Sequence, residues 1–104
     1  MGLRLSPFYN NYFEQIWQNI LAIPKQHFSG LFNTNLEQNL KKENITQVHI
    51  VGVCTSICVM ETVSDLYERD YEIYIHKKGV ADFDKNAHIF ALERMKRLFG
   101  AKVV

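Results

Sequence analysis

The chain has 104 residues, of which 47% are hydrophobic, 22% charged and 12% aromatic, with a formal net charge of +1. This composition excludes collagen-like, low-complexity and wholly disordered chains, and leaves one small globular domain or part of a larger one. With 12 Lys and Arg against 11 Asp and Glu, the charge balance gives no reason to expect nucleic acid or an anionic membrane as a partner.

Residues 1–19 carry Tyr12, Phe13, Ile16 and Trp17 at helix-compatible spacing, while Pro7 and the Asn10-Asn11 pair read as a loop leading into a short helix. Ile20 to Ile23 is an apolar run stopped by Pro24 and is predicted as a strand. Leu36 and Leu40, at i and i+4 behind Thr34 as N-cap, predict a short helix over 33–42. Val48 to Val53 is β-branched and nearly continuous in apolarity, as a strand buried on both faces would be.

A helix is predicted over 56–69 from Val59, Val63 and Leu66, and a strand over 72–76 from Ile73 and Ile75. After a loop containing Gly79, Asp84 caps a helix carrying Ala87, Phe90, Ala91, Met95 and Leu98, which Gly100 closes. Ala101 to Val104 reads as a last short strand. Strands alternating with helical crossovers imply an α/β fold, a three-layer α/β/α parallel sheet of Rossmann-like type.

No segment approaches the about 18 consecutive apolar residues of a membrane span, and residues 1–25 show no small-residue cleavage site after an apolar core. A cytoplasmic location is expected. Cys54 and Cys58 sit four apart, which is neither C-x-x-C nor a disulfide framework. His27, His49, His76 and His88 are scattered without ligand spacing, so no metal site is expected from this chain alone.

In open parallel sheets the ligand crevice lies outside the carboxyl ends of the strands. Three groups of residues are expected there: Lys25, the Cys54 to Cys58 segment, and His76 with Lys77 and Lys78. Cys58 falls in the first turn of its helix, where unpaired N–H groups and the positive dipole end stabilise a thiolate or a nearby oxyanion. Read by position alone, it is equally a small buried hydrophobe. Lys25 beside a thiolate would hold that charge, although most lysines are solvated surface. The aromatic residues near the N-terminus suit either a core or the pocket of a flat ligand.

The stretch Val51-Gly52-Val53-Cys54-Thr55-Ser56-Ile57-Cys58-Val59, with Thr62 and Asp65, resembles the G-V-x-T-D-x-C-V-x-x-T-A-x-D-A signature of the isochorismatase-like cysteine hydrolases. Upstream, Lys25-Gln26-His27-Phe28-Ser29-Gly30-Leu31-Phe32-Asn33-Thr34-Asn35-Leu36 resembles that family's K-x-x-Y-S-A-F-x-G-T-x-L. Within the family the likeness is to bacterial nicotinamidases, also called pyrazinamidases, over roughly residues 20–104.

The resemblance implies roles for individual residues. Cys58 stands at the nucleophile and Lys25 at the lysine of an Asp-Lys-Cys triad. The Val53–Cys54 bond stands at a non-proline cis peptide that shapes the oxyanion site, and Phe28 at an aromatic residue bordering the substrate pocket. The implied reaction is attack of the thiolate on a small carboxamide such as nicotinamide, release of ammonia and hydrolysis of the thioester.

The triad aspartate and the ligands of a divalent metal such as zinc belong to the family's N-terminal half, so residues 1–104 are expected to form one partial domain, the C-terminal part of the fold, inactive alone. Ser56, Leu31, Asn33, Val63 and Leu66 depart from the family pattern. The alternative expectation is a catalytically dead remnant that serves as an interaction module through self-association.

Overall fold

The computed structural model describes residues 20–104. The expectations for residues 1–19 lie outside that range. Helix α1 spans Leu36–Lys42, strand β1 Gln47–Val53, helix α2 Met60–Glu68, strand β2 Glu72–Ala81, helix α3 Lys85–Phe99 and strand β3 Lys102–Val103. A π-helical turn, Thr55–Val59, joins β1 to α2. The strands form one parallel sheet in the order β1-β2-β3, so the α/β class and parallel pairing are as the sequence implies.

Register explains which face is dry. Val48 pairs with Ile73 and Ile50 with Ile75, and side chains alternate along a strand, so these four share one face. Ile73 and Ile75 are buried there with Val63 and Leu66 of α2 and Ala91 and Met95 of α3. Leu36 and Leu40 of α1 are partly buried against the same cluster. The opposite face carries His49, Val51 and Val53 from β1. Val51 and Val53 are 66% and 65% exposed, so among the described residues the helices cover one side of the sheet.

Several sequence expectations change. Strand β1, read as buried on both faces, is exposed on the side of His49, Val51 and Val53. The run Ile20 to Ile23 forms no strand, and Ile20 and Leu21 stand exposed. A four-residue apolar run has too little surface to order itself without a pairing partner. Strand β2 does not stop at His76 but continues to Ala81 through a bulge, where the register jumps from Ile50↔Ile75 to Gly52↔Val80.

The polar segment His76 to Gly79 remains in the strand because its other edge is paired. Lys77 N–H donates to the Val104 carbonyl at 2.9 Å, and Val104 N–H to Ile75 at 2.9 Å. Gly79 permits the crossing, since a Cβ there would lie 2.5 Å from Val51 Cγ1. At the ends of α3 the sequence reading holds. Asp84 Oδ1 accepts from the Asn86 and Ala87 N–H groups, and Gly100 closes the helix at φ 62°, a left-handed conformation suited to glycine.

Candidate functional site

Strand β1 delivers Cys54, and the chain then turns directly into the π-helical segment. The Cys54 carbonyl accepts from Ile57 N–H at 3.0 Å and from Val59 N–H at 3.2 Å, a doubly used oxygen that widens the turn. Cys58 therefore sits near the start of a continuous helical path over 55–68, with α2 running away from it. The Val53–Cys54 peptide bond immediately before this turn is cis.

Lys25 reaches the same place from the irregular segment before α1. Its ammonium donates to the His27 carbonyl at 2.8 Å and the Phe28 carbonyl at 3.3 Å, and lies 4.0 Å from Cys58 Sγ. Lys25, Cys58, Val53 and Thr62 line a cavity of about 200 Å³. Cys58 and Lys25, assigned from sequence to one site, are thus brought together, with Val53 in the same wall and Cys54 next to it. Phe28 is 62% exposed and lines a separate cavity of about 370 Å³ with His27, Phe32, Glu61 and Asp65.

The segment bearing Lys25 is latched to the helix bearing Cys58 by polar contacts. Gly30 N–H donates to Thr62 Oγ1 at 2.9 Å, and the Ser29 hydroxyl donates to the Asp65 carboxylate. Thr34, expected as an N-cap, instead donates to the Gly30 carbonyl and accepts from Leu36 N–H at 3.3 Å. The upstream motif therefore joins the downstream one residue by residue, which gives a physical reason for the two blocks to occur together.

On the other side of the turn, two groups hold its first residues. Ser56 donates to Asp82 Oδ2 through its N–H at 2.8 Å and its hydroxyl at 2.6 Å. These bonds, the hydroxyl's first, hold the Asp82 carboxyl below its ordinary value. Thr55, fully buried, shares a 2.8 Å hydrogen bond with His88 Nδ1 of α3.

His76, Lys77 and Lys78, expected at the crevice, lie inside β2, because the strand runs on to Ala81. His76 meets His49 across the open face, ring nitrogen to ring nitrogen at 2.8 Å. The residue that reaches the strand's true end is Asp82. A carboxylate following the apolar pair Val80-Ala81 is the signal for it in the sequence, masked by the polar stretch His76 to Gly79.

Among the described residues no three His, Cys, Asp or Glu side chains converge as a metal-binding group. They do not supply the donor set for the divalent ion that the resemblance implies. No carboxylate among them hydrogen-bonds Cys58 or Lys25. No helix among them is long and apolar enough to cross a membrane.

The architecture has close counterparts. A profile of the isochorismatase domain matches residues 14–104. The isochorismatase family protein PncA of Bacillus subtilis is 34% identical over 100 residues, which are 96% of this chain and 54% of that protein. The crystal structure of nicotinamidase PncA from Bacillus subtilis superposes with a TM-score of 0.84 at 36% identity, over 99% of this chain and 56% of the other. That of the nicotinamidase SaPncA from Staphylococcus aureus gives 0.81 at 37% identity, over 89% and 59%. The chain spans rather more than half the length of these relatives.

Proposed function

The chain belongs to the isochorismatase family, and on that premise we propose that it carries the nucleophile of a cysteine amidohydrolase acting on nicotinamide or a similar small planar carboxamide. The observation that carries this reading is the Lys25 ammonium 4.0 Å from Cys58 Sγ, in a cavity of about 200 Å³ beside the cis peptide. The solved nicotinamidases of similar fold support the substrate class.

In this mechanism the Cys58 sulfur attacks the carboxamide carbon and a C–S bond forms. The C–N bond breaks as the nitrogen takes up a proton and leaves as ammonia. Water then cleaves the thioester, releases the acid and restores the thiol. The Lys25 ammonium, fixed by two backbone carbonyls, holds negative charge at the sulfur and on the developing oxyanion. Phe28 and Phe32 form the neighbouring aromatic wall.

No carboxylate accepts the thiol proton among the described residues. The described residues therefore supply no general base, a contribution of roughly 10²–10⁴, and at most slow turnover is expected of them. The proposed setting is the cytoplasm, as part of pyridine nucleotide salvage. The test is ammonia release from nicotinamide by the 104-residue chain. Slow release that disappears in Cys58→Ala supports the reading, and release unchanged in Cys58→Ala overturns it.

The exposed Val51 and Val53 favour a second reading, in which the open sheet face serves self-association. Sedimentation showing a monomer at every concentration would remove it.

A further inference from the structure

We infer that Asp82 is a positioning residue for the nucleophile: reaching in from the end of β2, its carboxylate clamps Ser56, two residues ahead of Cys58, and so fixes the turn that aims the thiol. The inference rests on Cys58 being the nucleophile and adds the residue that orders it.

Both bonds from Ser56 converge on one oxygen, Asp82 Oδ2, at 2.8 and 2.6 Å. The other oxygen, Oδ1, accepts from Asp84 N–H at 3.4 Å, so the carboxylate is itself held in orientation by the start of α3. The Thr55 to His88 bond ties down the preceding residue from the same direction. The first two residues of the turn are thereby anchored to the β2 end and α3, elements that belong to the packed side of the molecule. Asp82 also lines a recess of about 140 Å³ with Phe83 and with Val53 and Cys54, the two residues of the cis peptide.

Ser56 explains why the anchor comes from another strand. The signature that this segment resembles has Asp at that position, within the turn itself. Here the turn carries a hydroxyl, and the acid that receives its N–H group comes from residue 82. A carboxylate can accept both the hydroxyl and the amide of a turn's start, a charge-assisted arrangement stronger than its neutral counterpart.

Charge and geometry predict opposite outcomes. An anion beside the turn opposes a thiolate, so by charge alone its removal would speed alkylation of Cys58. If Asp82 acts by ordering the turn, its removal disperses the backbone that holds the sulfur 4.0 Å from the Lys25 ammonium and slows alkylation.

The experiment measures iodoacetamide alkylation of the full chain at pH 7, with tandem mass spectrometry separating Cys58 from Cys54 and circular dichroism confirming the fold. In Asp82→Ala the Cys58 rate is expected to fall about tenfold. Asp82→Asn keeps an acceptor oxygen and should stay within about threefold of the parent. Moving the acid into the turn, as Asp82→Ala with Ser56→Asp, should restore most of the lost rate.

A rate in Asp82→Ala equal to or above that of the parent overturns the inference, and so does an Asp82→Asn rate as low as that of Asp82→Ala. If Asp82→Ala does not fold, Ser56→Ala decides. It keeps the amide bond and loses the hydroxyl, and an unchanged rate there overturns the clamp. None of these measurements needs turnover, so they fail or succeed independently of ammonia release from nicotinamide.

Discussion

On one face of the sheet Ile73 and Ile75 lie in a dry cluster with Val63, Leu66, Ala91 and Met95, while on the other Val51 and Val53 stand about two-thirds exposed. The site lies at the seam between these regimes. Cys58 lies near the start of the helical path whose next turns supply Val63 and Leu66, so its backbone is fixed by apolar packing. Lys25 comes from a segment without regular structure and is held by hydrogen bonds to α2 and to its own carbonyls. Cys58 and Lys25 thus depend on different forces, and different substitutions should separate them.

The largest separation should come from the core. Leu66→Ala removes a side chain that is 1% exposed and is expected to cost about 2–5 kcal/mol in urea unfolding. A loss below about 1 kcal/mol would mean that the packed face is not what holds the turn.

Thr62→Val tests the latch. It leaves Gly30 N–H without its acceptor, with an expected cost of about 1–3 kcal/mol. Amide exchange should quicken over 25–35 while β2 and α3 keep their protection. Uniform quickening would show that the loop and the core are a single cooperative unit.

Val51→Ala, on the open face, should change stability by no more than about 0.5 kcal/mol. A cost comparable to that of Leu66→Ala would abolish the contrast between the faces.

The smallest effect concerns Asp82. Its carboxyl is held below the ordinary value of 3.8 by hydrogen bonds from Ser56. A depressed folded-state value means that its stabilisation is present above 3.8 and is lost as pH falls through the lower value. The stability difference between the parent and Asp82→Asn should therefore narrow as unfolding is followed from pH 6 down to pH 3. A constant difference would place the stabilisation elsewhere.

Much of this organisation could be read from residue patterns, and the failures have physical causes. Asp84 and Gly100 bound α3 through local backbone chemistry, which a short window contains. The pairing of Lys25 with Cys58 could be read because two motif blocks carry it. The end of β2 could not, because His76, Lys77 and Lys78 look like a solvated loop, and only the partner edge at Val104 with the missing Cβ of Gly79 keeps them in the sheet. Asp82 follows that stretch and so does not stand out as a strand-end residue. The apolar run at Ile20 to Ile23 had the composition of a strand, but strand formation requires a neighbour that composition cannot supply.

The Lys25 ammonium is bonded to the carbonyls of His27 and Phe28, not to their side chains. Any residue type offers those carbonyls. The two side chains that help wall the adjacent 370 Å³ cavity can therefore be exchanged while the ammonium keeps its backbone partners. The lining of that cavity can drift along this segment without moving the Lys25 charge.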